Sequence, residues 1–338
     1  MSISIQKSNQ LKSIAILMML FLHLFNQDYL NVFKPIIFIG MKPLSYYLSL
    51  FCDACVPIFS FVSGYGLYYT YQKNKIIYRY NNLKKLKKLY INYWIILLLF
   101  AVIIGSLLKL EGYPGTINKL ILNLSAIDPT YNGAWWFLTI YILFVLSSAF
   151  WFSLLEKTNP YFLFLFFLIL YLIAFYFRIY KTNIFENNLL EYIHRYAALY
   201  FCTLFQFMLG SFACKFEWNN KVDFILEKIK YKNIISITCI GLLIFFHSIF
   251  PNFIIAPFTG VGFIFLFLQI NISKVGNKIL DYFTPHTTNI WLIHLFFSMI
   301  YFSKLIYSFQ YVPAIFLVLI ILSLFSSYIV NYINRKIS

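Results

Sequence analysis

Residues 12–23 read K-S-I-A-I-L-M-M-L-F-L-H: a cation, a run that is apolar after Ser13, and then a single imidazole. In an α-helix, eleven residues rise by roughly 16 Å. If Lys12 stays at the water boundary of a hydrocarbon core about 30 Å thick, His23 lies near its middle. An ionisable group at that depth is expensive and is a functional hypothesis by default. The stretch therefore predicts a membrane span with chemistry inside it.

The surrounding sequence supports the membrane reading. Hydrophobic residues make up 61% of the 338-residue chain and charged residues 11%, and the mean hydropathy is +0.76. Soluble domains carry about one-quarter charged residues, so the chain reads as an integral membrane protein. No long polar block separates off a soluble domain, which predicts a single membrane-embedded domain over 1–338. The apolar run after Lys12 ends in polar Asn26, Gln27 and Asp28 without a small-residue cleavage site, so it is expected to be the first span rather than a cleaved signal.

Ten spans can be drawn, near 12–27, 46–71, 90–110, 134–155, 160–180, 196–216, 233–250, 254–271, 288–309 and 312–333. The fold class expected is all-α, a polytopic bundle of about ten helices. With both termini inside, Lys7, Lys12, Lys73, Lys75, Arg79, Lys84, Lys85, Lys87, Lys88, Lys157, Lys215, Lys221, Lys228, Lys230, Lys232, Lys274, Lys278, Arg335 and Lys336 fall on the inner side. That is 19 of the 27 basic residues, the bias that sets topology as N-in and C-in. The same pattern explains the +16 formal charge without nucleic acid.

Residues 72–89 form the densest positive segment, suited to anionic lipid or to a cytosolic polyanion. Residues 111–133, on the outer side, read as a structured loop able to cover an entrance. Cys52 and Cys55 form a C-x-x-C inside a predicted helix with no second pair, which favours packing over metal or redox chemistry. No metal site is expected.

Five stretches together resemble one family, the acyltransferase-3 membrane acyltransferases. Lys12 to His23 fits the family's basic residue, ten residues, then His. V-P-I-F-S-F-V-S-G-Y at 56–65, K-K-L-K-K-L-Y-I-N-Y-W at 84–94, W-W-F-L at 135–138 and N-I-W-L-I-H at 289–294 follow in the family's order. Lysines replace family arginines, keeping charge but losing the guanidinium fork. Ile91 stands where many members have Pro, and Tyr141 where one branch has Glu.

The resemblance implies acyl transfer from cytosolic acetyl-CoA to a hydroxyl, usually on a surface polysaccharide or lipid-linked glycan precursor, at the plasma membrane. His23 is then the expected base or nucleophile, since neutral imidazole serves either role near pH 7. Lys12, Lys84, Lys85, Lys87 and Lys88 are expected at the CoA phosphates, and His294 beside the thioester or pantetheine arm. Ser63 and Gly64 would let another backbone or the acyl chain approach closely. Asp53 lies about 10 Å below the outer end of its span and could fix the imidazole tautomer, or face a wet vestibule. Trp135 and Trp136 suit an interfacial aromatic belt and also stacking on a sugar. A transporter or flippase of the same glycan or precursor is the other reading.

Overall fold

The structure, a computed structural model, describes residues 3–26, 32–226, 229–250 and 252–337. Gln27 and Asp28, read as part of the first span's polar end, and Lys228, counted among the inner charges, lie outside the described residues. The described chain is helical almost throughout. Helix α1 is Ile5–Phe25, followed by a hairpin of β1, Phe38–Ile39, and β2, Lys42–Pro43. Next come α2, Leu44–Phe51, and α3, Cys55–Lys73, joined by a 3-10 turn at Cys52–Ala54. Helix α4, Tyr78–Ile96, passes through a π-helical stretch, Leu97–Ile104, into α5, Gly105–Leu107. Helices α6, Ile117–Leu124, α7, Trp136–Lys157, α8, Pro160–Tyr180, and α9, Asn188–Lys215, follow. The remainder comprises α10, Trp218–Leu226, α11, Lys232–Ile249, α12, Ala256–Gln269, α13, Lys274–Phe283, α14, Thr287–Leu295, α15, Ser303–Tyr307, and α16, Val312–Ile337.

Eight of these helical segments are long and apolar enough to cross a membrane, and a shorter apolar helix covers Phe253–Gln269. The protein is an all-α polytopic bundle. The expected span at 288–309 is present but broken: α14 ends at Leu295, a π turn runs over Phe296–Ile300, and only then does α15 begin. Helix starts are set by side chains that satisfy otherwise unbonded amides. Asn159 Oδ1 accepts from Tyr161 and Phe162 with Pro160 at the first turn, and Asn187 Oδ1 accepts from Leu189 and Leu190.

The chain divides into two compact units interleaved in sequence. One comprises residues 1–12, 54–83 and 140–276; the other comprises 13–53, 84–139 and 277–338. In the first, α3 and α9 cross at Gly64 and Gly210, where a Cβ on either glycine would overlap the Phe207 or Phe61 carbonyl. Helix α12 packs on α3 at Gly260, against Pro57. In the second, α14 is buried over Thr287 and Asn289–Leu295, and α16 packs beside it.

Candidate active site

Within the second unit, α1 and α14 bring His23 and His294 together. His23 Nδ1 lies 2.7 Å from His294 Nε2, with the rings nearly parallel and their centroids 4.9 Å apart. His294 is fully buried, and its Nδ1 sits 3.0 Å from the Ile290 carbonyl oxygen and 2.8 Å from that of Trp291. Carbonyl oxygens only accept, so Nδ1 of His294 carries the ring hydrogen and donates it. In the neutral ring Nε2 is then a lone pair, and the hydrogen between the two rings must come from His23 Nδ1. This leaves Nε2 of His23 unprotonated. The half-buried His23 thus presents an imidazole nitrogen ready to take a proton or attack a carbonyl.

Neighbouring segments hold α14 in this position. The Phe296 amide bonds the Ile293 and His294 carbonyls, and the Leu292 carbonyl accepts from Trp135 Nε1 at 2.8 Å and Asn132 Nδ2 at 3.1 Å. Trp291 Nε1 returns a bond to the Ala134 carbonyl at 3.1 Å. Toward the start of α14, Asn289 accepts from Asn92 and donates to Ser327 Oγ and Asn331 Oδ1, each at 2.9 Å. Asn334 donates to Asn92 Oδ1 at 3.2 Å. Such a connected set of amides, buried at Asn92 and Asn289 and half-buried at Asn331 and Asn334, fixes one helix register, because a slip would orphan several polar groups.

The segment after α5 runs back along α4 instead of only covering it. Tyr93 Oη donates to the Asn123 carbonyl, Trp94 Nε1 to that of Leu124 and Tyr90 Oη to that of Ser125, at 2.7 to 2.8 Å. These carbonyls lie at the last turn of α6, where the regular helical ladder runs out of donors, and that of Asn123 also accepts from the Ala126 amide at 2.9 Å. Trp94 is thirteen residues before Leu107, so along the helix the contact lies several turns from its end. Irregular backbone is tolerated at such depth when protein buries it. Asn123 does so: fully buried, it accepts from the Tyr131 amide and donates to the Lys119 carbonyl.

The other expected site residues are placed as follows. Asp53 sits half-buried in the Cys52–Ala54 turn. The tautomer of His23 is fixed by His294, so the orienting role expected of Asp53 falls to an imidazole from another helix. Trp135 is completely buried, edge-on to Tyr93 and Phe296, and its N–H is spent on Leu292. It is neither in an interfacial belt nor open to a sugar. Trp136 is half-buried against Phe137. Lys84, Lys85, Lys87 and Lys88 are all exposed, on the second and third turns of α4 and not in a loop, with Leu86 buried among them. Lys12 and Ser63 belong to the first unit. There the backbone of α9, at Phe207, approaches the Ser63-Gly64 step.

Three of the stretches singled out in the sequence therefore meet around the helix of His294, and His23 joins them from α1. A family model described as an acyltransferase domain, that of the acyltransferase-3 family, matches residues 5–332. The chain belongs to the acyltransferase-3 family. It is an integral membrane acyltransferase, and the match spans both compact units. No curated protein and no solved structure matches it significantly. Sequence reasoning missed the amide set of this acyltransferase, Asn92, Asn289, Asn331 and Asn334. Its only signal was the presence of Asn inside otherwise apolar segments, in Y-I-N-Y-W and N-I-W-L-I-H.

Proposed function

We propose that this acyltransferase transfers acetyl from acetyl-CoA to a hydroxyl of an extracytoplasmic polysaccharide or lipid-linked glycan precursor at the plasma membrane. One observation carries the reading: the His23–His294 pair, whose bonding leaves His23 Nε2 free to act. In the direct route, Nε2 takes the acceptor's hydroxyl proton as the oxygen attacks the thioester carbonyl. The carbon–sulfur bond then breaks, and the proton returns from the imidazolium to the CoA thiolate. While His23 is charged, its Nδ1–H remains bonded to His294 Nε2, which supports the positive ring. The same nitrogen serves a covalent route through an acyl-imidazole. The exposed lysines at 84, 85, 87 and 88 supply point charges for the CoA phosphates.

The transporter reading predicts movement of a glycan or precursor without consumption of acetyl-CoA, and tolerance of His23→Ala. Deleting the gene in its host and comparing O-acetyl signals of the surface glycan by NMR separates the two. Complementation with the wild-type gene restores the signal, and complementation with His23→Ala leaves it absent. O-acetylation unchanged by the deletion defeats the glycan reading, while rescue by His23→Ala defeats the mechanism.

A further inference from the structure

The hairpin between α1 and α2 exposes an apolar surface that the reaction does not use. Residues 36–41 read I-I-F-I-G-M, and all six are exposed, Met41 at 91% and Ile36 at 75%. The root of this loop is built in. Phe33 is buried against Phe25 and Tyr307, and the Lys34 amide donates to the Gln310 carbonyl at 2.6 Å. Phe38 pairs with Pro43 and Ile39 with Lys42, and Gly40 turns the chain with a positive φ of 62°. The greasy tip is therefore held on a fixed stem.

Two observations identify what covers it. Met41 is three residues before Leu44, where the second long apolar segment begins, so the tip lies at most about 10 Å from that segment's start. The headgroup layer on each side of the hydrocarbon is about 5 to 7 Å deep. The tip cannot leave the neighbourhood of the bilayer surface. The base of the hairpin also carries cations: Lys34 is exposed, and Lys42 Nζ lies 4.0 Å from the centre of the Tyr46 ring, beside Tyr47. An apolar tip above lysines and tyrosines matches the layering of acyl chains, phosphates and interface.

We propose that residues 36–41 form a wedge seated in the lipid leaflet, with Lys34 and Lys42 at its phosphates; the charge bias assigns it to the outer leaflet. The wedge ties the outer end of the His23 helix to the lipid surface. It is independent of which acyl group or acceptor the enzyme uses.

The test places a Met41→Cys chain carrying an NBD label in nanodiscs of phosphatidylcholine and phosphatidylglycerol, one copy per disc. Labelled wild-type chain serves as the blank for the native cysteines, and Glu186→Cys, in an exposed polar segment, is the aqueous reference. Expected are a blue-shifted emission at position 41, quenching by lipids brominated on the acyl chain, and protection from iodide. Adding Lys34→Gln with Lys42→Gln weakens the brominated-lipid quenching. Iodide quenching at 41 as strong as at 186, without quenching by brominated lipid, overturns the proposal. Protection that arises only in discs holding two copies also overturns it, in favour of self-association.

Discussion

At the scale of single residues, the proposed reaction divides the labour between two histidines: His23 takes the proton or the acyl group, and its bond to His294 leaves Nε2 for that step. Replacing His23 with Ala should lower turnover by about 10²–10⁴ if it acts as a base, and remove it if it is the nucleophile. His294→Gln retains an amide oxygen able to accept from His23 Nδ1, whereas His294→Leu does not. The Gln variant should therefore keep more turnover than the Leu variant at matched expression, read as kcat with purified protein. Equal losses would remove tautomer control from His294. His23 was legible because depth along a helix follows from rise per residue. Its partner was not, because a sequence gives depth but not which helix stands opposite: level pointed to Asp53, while His294 reads as nearer the inner side. His286, at the start of α14, makes a separate prediction. Its Nδ1 lies 2.8 Å from Ser327 Oγ, and burial holds its imidazole below the usual value of 6.5. The unfolded chain binds the proton first, so stability is intact above that value and declines as pH falls below it. Melting curves at about pH 7.5 and about pH 5.5 should show a smaller acid penalty in His286→Gln than in wild type.

Among the elements, the crossing of α3 and α9 is the tightest packing constraint. Small residues at membrane helix contacts let backbones touch, since the hydrophobic effect adds little between helices in lipid. Gly64 and Gly210 have no room for a Cβ, so Ala at either must push two backbones apart. Gly210→Ala should cost about 1–3 kcal/mol, seen as a lower melting temperature in detergent, while Gly241→Ala, in open space, should not. Gly64 was readable from V-S-G-Y, but Gly210 was not, because nothing in the sequence pairs α3 with α9. The break after Leu295 was equally hidden. L-F-F-S-M-I-Y-F is apolar almost without interruption and contains neither Pro nor Gly, so hydropathy draws one continuous span. What marks the break is tertiary: the Leu292 carbonyl bonds Asn132 and Trp135 from another segment. The Y-I-N-Y-W stretch likewise reads as a plain span start. Its Tyr90, Tyr93 and Trp94 hold the end of α6, while Asn92 bonds α14.

For the molecule as a whole, hydropathy located each helix long enough to cross a membrane, because lipid demands long apolar segments with satisfied backbones, whereas α6, α10 and α13 fall outside the drawn spans. It could not show that residues distant in sequence alternate between two compact units, nor that the first helix contributes Lys12 to one and His23 to the other. Charge placement can be tested at this scale. Lys84, Lys85, Lys87 and Lys88 are exposed on the helix that also carries Asn92. Exposed ammonium groups contribute about 0.2–1 kcal/mol each to a charged pair. Replacing all four with Gln should then raise the KM for acetyl-CoA on the order of tenfold or more, with kcat little changed, because binding removed equally from ground and transition states appears in KM alone. Added salt should raise the wild-type KM toward that of the variant and leave the variant nearly flat, as screening acts only on charges still present. A fall in kcat at constant KM would instead mean that the lysines set the register of α4 and, through Asn92 and Asn289, the position of His294.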